Sequence, residues 1–244
     1  MQDFVEMLTA HQSIRRYQDK PVPEQVVREI IRAGQWSSTS SNFQAYTIIE
    51  IKDPQKREAV AEVAGNQKWV VSCPLFLMFC ADLHRGEKYW KVEDKTIFHN
   101  TEMFLVASID AALAAQHTYL AAAALGLGGV YVGGIRDDVN ELKKLLNLPD
   151  LVYPVFGMCL GYPDENPGQK PRLDLKAVYK VDSYDESMDD ELAAEYDERT
   201  AQYYLARTGG RESETWSERC GRLAMKKPRE NLGPDLQGMG FNRK

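Results

Sequence analysis

The longest apolar stretch of the chain runs from Met103 through Ala124, and within it Ala107, Ala111, Ala114 and Ala115 recur at spacings of three and four. That pattern predicts a buried helix. Gly126, Gly128 and Gly129 interrupt it, Val130-Tyr131-Val132 reads as a short strand, and Gly133-Gly134 follows at once. Two missing Cβ atoms at a strand end let a flat ligand lie on the main chain, although a plain turn into a helix over 139–146 fits the same residues. Upstream, residues 1–11 set Phe4, Val5, Met7 and Leu8 near one side of a helix. Pro23-Glu24 opens a second helix that turns Val26, Val27, Ile30 and Ile31 inward and stops near Gly34. A strand over 46–51, a helix over 55–64 closed by 65–68, and a doubly buried strand within 70–80 come next. Residues 84–100 mix charge with His84, Tyr89, Trp90 and Phe98 and are expected to form a lid or excursion outside the core. A core strand over 153–161 leads into a proline-stiffened loop that ends in Lys170-Pro171-Arg172.

From Ser183 the pattern loses its apolar face. An acidic helix over 189–207, a hinge at 208–211, a last helix from Trp216 and a glycine-rich tail after Lys226-Lys227-Pro228 are expected. Such an arm has too little apolar surface to fold alone, so it is expected to pack on the core and on a partner subunit. The chain is accordingly divided at 1–182 for an α/β or α+β core and 183–244 for the extension.

Composition narrows the classes. With 244 residues, 43% hydrophobic and 27% charged, this is an ordinary globular chain, and a net charge of −6 opposes general nucleic-acid binding. Asp3 and Glu6 stand where a signal peptide needs basic residues, and Asp110, Gln116 and His117 interrupt the apolar run, so no membrane span and a cytoplasmic location are expected. Cys73, Cys80, Cys159 and Cys220 have neither metal-ligand nor redox spacing; buried free thiols and no metal are expected.

Polar clusters supply the candidate chemistry. In an extended segment His11, Ser13 and Arg15 share one face and Ile14 the other, which suits a phosphorylated ligand; a solvated strand face has the same pattern. Ser37 to Asn42 offers five hydroxyls, either as a helix cap or as donors to a ribose-like chain. The glycines after 125 are not a dinucleotide fingerprint, because they follow a helix and precede a strand.

Taken in order, His11-x-Ser13-Ile14-Arg15, Ser38-Thr39-Ser40-Ser41, Gly65-Asn66-Gln67, Leu127 to Gly134, Lys170-Pro171-Arg172, Tyr203 to Arg207 and Thr215-Trp216-Ser217 resemble the FMN-dependent nitroreductase family. The likeness is to its larger oxygen-insensitive NADPH nitroreductases and NADPH–flavin oxidoreductases, and it runs from the first helix to the tail. It implies an α+β nitroreductase-like fold, with a mostly antiparallel sheet of four to five strands flanked by helices, and an intertwined homodimer with FMN at the interface. The alanine face of the long helix is expected to meet its copy there. By the same resemblance His11, Ser13, Lys170 and Arg172 hold the FMN phosphate, Arg15 reaches N1 and O2, and Thr39 and Gln67 bond the ribityl chain and ring edge. Gly133 or Gly134 presents an N–H near N5. Thr39 departs from the family's usual serine but keeps a hydroxyl. Ser40, Ser41, Glu102, Arg207 and Arg211 are expected on the substrate side, Arg207 with help from Arg211 at the 2′-phosphate of NADPH. For Glu102, charge complementation at a helix N-terminus is an equal reading. The implied activity is ping-pong hydride transfer from NADPH, with NADH left open, through FMN to nitroaromatics, quinones or free flavins. FMN carries that chemistry, so no catalytic acid or base is assigned. The competing reading is a non-catalytic FMN store or redox sensor.

Overall fold

The computed structural model describes residues 2–226 and 229–242; Met1 of the first helix and Lys227-Pro228 of the lead into the tail lie outside the described residues. In chain order the elements are α1 (Gln2–Thr9), α2 (Glu24–Gln35), β1 (Tyr46–Glu50), α3 (Pro54–Val63), α4 (Lys68–Ser72), β2 (Leu75–Asp82), α5 (His84–Tyr89), α6 (Thr101–Ala124), β3 (Gly128–Val132), α7 (Val139–Leu145), β4 (Val152–Gly161), α8 (Leu175–Val178), α9 (Asp189–Thr208), α10 (Trp216–Lys226) and α11 (Leu232–Gly238). They form two compact units, Met1–Pro167 with Glu230–Lys244, and Gly168–Arg229. That division does not coincide with the change of composition at 182 and 183: the last residues return to the first unit.

The first unit is built on an antiparallel sheet in the order β1-β2-β4-β3. Every residue of the central strand β2 is buried, as a strand with layers on both faces must be. On one side β2 packs with α2 and α6 through Ile30, Leu77, Phe79, Ala115 and Tyr119. On the other, Phe76, Met78 and Cys80 join a larger core with α3, α7 and the C-terminal tail. The apolar stretch within 70–80 is therefore only partly strand. Residues 68–72 turn as α4, and Pro74, which cannot donate to a helix, separates α4 from β2. Buried Arg57 fixes that turn, donating Nε and Nη2 to Ile51 O at 3.0 and 2.8 Å and Nη1 to Cys73 O at 2.6 Å.

Three expectations are corrected by packing. Residues 84–100 are not an excursion: Phe98 is fully buried, Trp90 lies 5.5 Å from it ring to ring, and Phe43 stacks on Trp90 at 4.6 Å. Phe98 and Trp90 complete the core, while Tyr89 stays exposed with most of the charges. Second, the alanine face of α6 is consumed within the subunit. Ala107, Ala111, Ala114, Ala115 and Ala122 have no exposed surface, and α2 lies so close that a Cβ on Gly34 would stand 2.2 Å from Thr118 Oγ1. The large apolar residues that α6 leaves exposed include Leu105, Ile109 and Leu113, and α1 exposes Phe4, Val5 and Leu8. Third, α10 is not the last helix, since α11 follows it. The tail then inserts Met239 and Phe241, both fully buried, with Phe241 edge-on to Phe104 at 5.1 Å.

The second unit pairs α9 with α10 through Tyr196 and Trp216, 5.5 Å apart, and Arg219 over the Tyr204 ring at 4.6 Å. Among the described residues no helix is long and apolar enough to cross a membrane. All four cysteines are free and all but Cys220 are buried.

Truncating the plug tests the tail's place in the core. Phe241→Ala is expected to cost about 3–5 kcal/mol, the usual range for a buried aromatic reduced to alanine. Urea denaturation monitored by circular dichroism measures it.

Candidate functional site

Residues 11–15 run extended beside β3. Ile14 N donates to Gly129 O at 3.0 Å and Ser13 bridges Gly129 in parallel, so this segment adds a short fifth line to the sheet edge. Ile14 is buried, whereas His11, Ser13 and Arg15 stay half-buried on the opposite face, as alternation requires. At one end the His11 ring meets Tyr119 edge-on at 5.2 Å, and Tyr119 OH donates to Gln12 O at 3.3 Å. At the other end the Glu165 carboxylate accepts from the backbone N–H groups of Arg15 at 2.5 Å and Arg16 at 3.0 Å. Glu165, which carries no signal in sequence beyond being an acid in a loop, thereby sets the position of Arg15.

The Arg15 guanidinium lies 5.5 Å from the ring centre of Trp69, a cation–π contact. Trp69 sits in α4, two residues beyond Gln67. Gln67 Nε2 donates to Ala64 O at 2.7 Å, and those two atoms are the ones that a Cβ on Gly134 would meet, each at 2.7 Å. Gly134 is thus required by the approach of the 3-10 turn Gly133–Asp137 to the end of α3. The bare face of its Cα is turned to protein rather than to a ligand. Two pairs result: Arg15 on Trp69, and Gln67 against Gly134, with Ser13 and His11 on the same extended segment as Arg15. Trp69 Nε1 is buried without an acceptor. A buried indole N–H normally finds one, so this cluster has an unused donor.

Thr39, Ser40 and Ser41 belong to a second cluster. They form a 3-10 turn with left-handed backbone at Ser41 (φ 46°) and Asn42 (φ 59°). The turn is held by Asp110, fully buried on α6, whose carboxylate accepts from Ser40 N at 2.9 Å and Ala45 N at 3.1 Å. Sequence reading used Asp110 only to exclude a membrane span. An acid inside an otherwise apolar helix was the available signal of a partnered buried group. Asp110 and Tyr119 are nine residues apart on α6, which places their attachments roughly 14 Å apart along the axis and half a turn round it. The 39–41 turn is thus anchored to α6 at Asp110, and the His11–Gln12 end of the extended segment at Tyr119. Glu102 is exposed in the first turn of α6, where Asn100 supplies the cap through Met103 N at 2.8 Å.

The remaining candidates lie in the second unit. Arg172 Nη1 donates to Lys170 O at 2.9 Å and to Pro171 O at 3.2 Å, and Tyr196 OH donates to Pro171 O at 2.9 Å, so this turn is fastened to α9. Arg207 donates to Tyr203 OH at 2.6 Å, and Arg211 Nε caps α9 through Thr208 O at 2.8 Å.

Within the first unit the residues present fit a phosphorylated planar cofactor: a cation, a carboxamide and an unpartnered indole donor occur together, with a hydroxyl and an imidazole further along the same strand edge. The fold around them, a four-stranded antiparallel sheet with flanking helices, is the nitroreductase fold. The chain belongs to the nitroreductase family: the Nitroreductase family model matches residues 8–162, and the model for the family's C-terminal domain matches 170–244. It is 38% identical to an FMN reductase (NADPH) of Bacillus subtilis, with 100% of both chains covered, and 39% identical to an oxygen-insensitive NADPH nitroreductase of Salmonella typhimurium, with 99% of each covered. The structure of a nitroreductase from B. subtilis matches with a TM-score of 0.95 at 38% identity over 99% of this chain and 100% of that one.

Two substitutions probe this architecture. Asp110→Asn keeps the shape but sets an amide NH2 against a backbone N–H; a loss of about 2 kcal/mol is expected. Hydrogen exchange should locate it as faster exchange at Ser40 and Ala45. Gly134→Ala forces a Cβ against backbone and is expected to cost about 1–3 kcal/mol. A melting temperature equal to that of the parent would show that the 3-10 turn yields freely.

Proposed function

We propose that this chain is an FMN-dependent NAD(P)H oxidoreductase that reduces small aromatic acceptors such as flavins, quinones and nitroaromatics. The observation that carries the reading is Arg15 seated on Trp69 in the same extended segment as His11 and Ser13, with Gln67 against Gly134, in a chain matched over its full length to an FMN reductase (NADPH). FMN, when bound, would supply two-electron hydride chemistry between the nicotinamide and the acceptor. His11, Ser13, Lys170 and Arg172 hold its phosphate by charge-assisted bonds. Arg15, oriented by Glu165 and Trp69, sets a cation where reduction leaves negative charge at N1 and so favours the reduced form. Thr39 and Gln67 would bond the ribityl chain and ring edge, and Gly133 or Gly134 would offer a main-chain N–H to the ring. NADPH and acceptor use the same pocket in turn, among Ser40, Ser41 and Glu102, with Arg207 and Arg211 toward the 2′-phosphate. Positioning rather than proton transfer is the protein's contribution.

The acting form is a homodimer. Support comes from the exposed apolar residues Leu105, Ile109 and Leu113 spaced at four along α6. In a dimer the 39–41 turn of one copy serves the flavin of the other. Four free cysteines suit the reducing cytoplasm.

The purified protein is expected to be yellow, to bleach with anaerobic NADPH and to recover its colour with menadione. A colourless protein unable to take up FMN would overturn the reading, and bound flavin without turnover would make it a store. Arg207→Ala is expected to raise KM for NADPH several-fold and to change that for NADH little. Equal changes for both donors would remove Arg207 from the 2′-phosphate.

A further inference from the structure

Arg57 is a buried cation without a carboxylate. It is 8% exposed, and its guanidinium meets the carbonyl oxygens of Ile51 and Cys73, the Cys73 sulfur and the Phe76 ring. Among the described residues no acid pairs with it. A charge taken out of water is costly unless an opposite charge stands beside it. The ionisable group bonded to Arg57 is Cys73, whose Sγ lies 3.5 Å from Arg57 Nη1.

The sulfur is where donors converge. Besides Arg57, the Cys159 thiol and the backbone N–H groups of Leu160 and Cys73 bond it, against one acceptor, Val70 O at 3.5 Å. Burial opposes ionisation of Cys73, yet the Cys159 thiol, Arg57 and these N–H groups outweigh it and bring its pKa below the ordinary thiol value. The neighbouring groups go the other way. Burial, reinforced by Cys73, pushes the Cys159 thiol up, and Cys80 is raised by burial and by Asp82. Tyr17 also faces the pair; burial raises its hydroxyl, which donates to Ile14 O at 2.7 Å. Arg15 approaches from the Cys159 side, so both cations near the two sulfurs favour one negative charge there.

We propose that Cys73 is carried as a thiolate, the counter-ion of Arg57, and that this pair clamps the end of α4 to α3. Cys73 N donates to Trp69 O at 3.0 Å, so the ring that seats Arg15 stands one turn from the clamp. Arg57 and Cys73 are thereby positioning residues for the Arg15 cation. That consequence rests on the function proposed above; the ion pair does not. The proton of Cys73 leaves to solvent, so between its lowered pKa and about 8.5 the unfolded chain binds more protons than the folded one. The stability that the pair adds is complete above about pH 8.5 and is lost as pH falls through the lowered pKa.

The test is ultraviolet difference absorbance at the thiolate band of the full-length holoprotein, parent minus Cys73→Ser, from about pH 5 to 9. Cys220 and the flavin contribute equally to both proteins and cancel. The expected result is the absorbance of one thiolate whose midpoint lies below the ordinary thiol pKa. The gap in melting temperature between parent and Cys73→Ser should widen as pH rises over the same range. Cys159→Ala, which removes one donor and leaves Cys73 in place, should move the midpoint to higher pH. Absorbance that grows only at or above about pH 8.5, or a melting gap constant with pH, shows a neutral thiol and overturns the ion pair. A midpoint unmoved in Cys159→Ala overturns it too. Should Cys73→Ser fail to fold, the midpoint in the parent and its displacement in Cys159→Ala decide. On acidification the FMN dissociation constant, read from flavin fluorescence, should rise more in the parent than in Cys73→Ser. An equal rise in both, with the thiolate present, overturns the positioning role. A protein with the thiolate that binds no FMN keeps the ion pair and discards the flavin reading.

Discussion

The close packing of α6 against the sheet and α2 is the constraint on which the rest depends. Small side chains along one face of α6, together with Gly34 on α2, let backbone approach backbone with no room for a methyl group. Within that contact lies one carboxylate, Asp110, with no exposed surface. A buried acid is tolerable only when its oxygens are satisfied, and here two backbone N–H groups of the 39–45 turn satisfy them. The helix that closes the core therefore also shapes a turn with three residues of positive φ, Ser41, Asn42 and Gln44. Packing and site geometry share one set of atoms.

The Arg15 cluster is assembled by a different device. A short extended segment lies along the free edge of β3, so that every second side chain faces away from the core. Backbone bonds to Glu165 and the ring of Trp69 then hold one cation in place. Neither cluster depends on a long flexible loop, which suits a cofactor that must meet several donors at once.

Much of the fold was legible because periodicity reports burial directly. α2, β1, α3, α6, β3, α7 and β4 stand within a residue or two of where apolar spacing set them. The misreadings share one cause. Residues 84–100 look like surface because charges outnumber aromatics, and the alanines of α6 look like an interface because small residues permit close approach to any neighbour. In each case local composition states what a side chain can do, while the neighbour that uses it is distant in sequence. Asp110 and Glu165 escaped for the same reason: their partners are backbone N–H groups 65–70 and about 150 residues away, and backbone donors leave no mark on a sequence.

By itself, the order of residues determined the family, the periodic elements and the residue types that meet a phosphorylated planar cofactor, since these follow from side-chain chemistry at fixed spacings. Only the tertiary structure decided which face of α6 is spent inside the subunit and which stays exposed. It alone joined Arg15 to Trp69, set Gln67 against Gly134, and tied the 39–45 turn to Asp110. Those outcomes depend on distances between segments remote in sequence, which are set when the chain excludes water from its core and every buried polar group must find a partner.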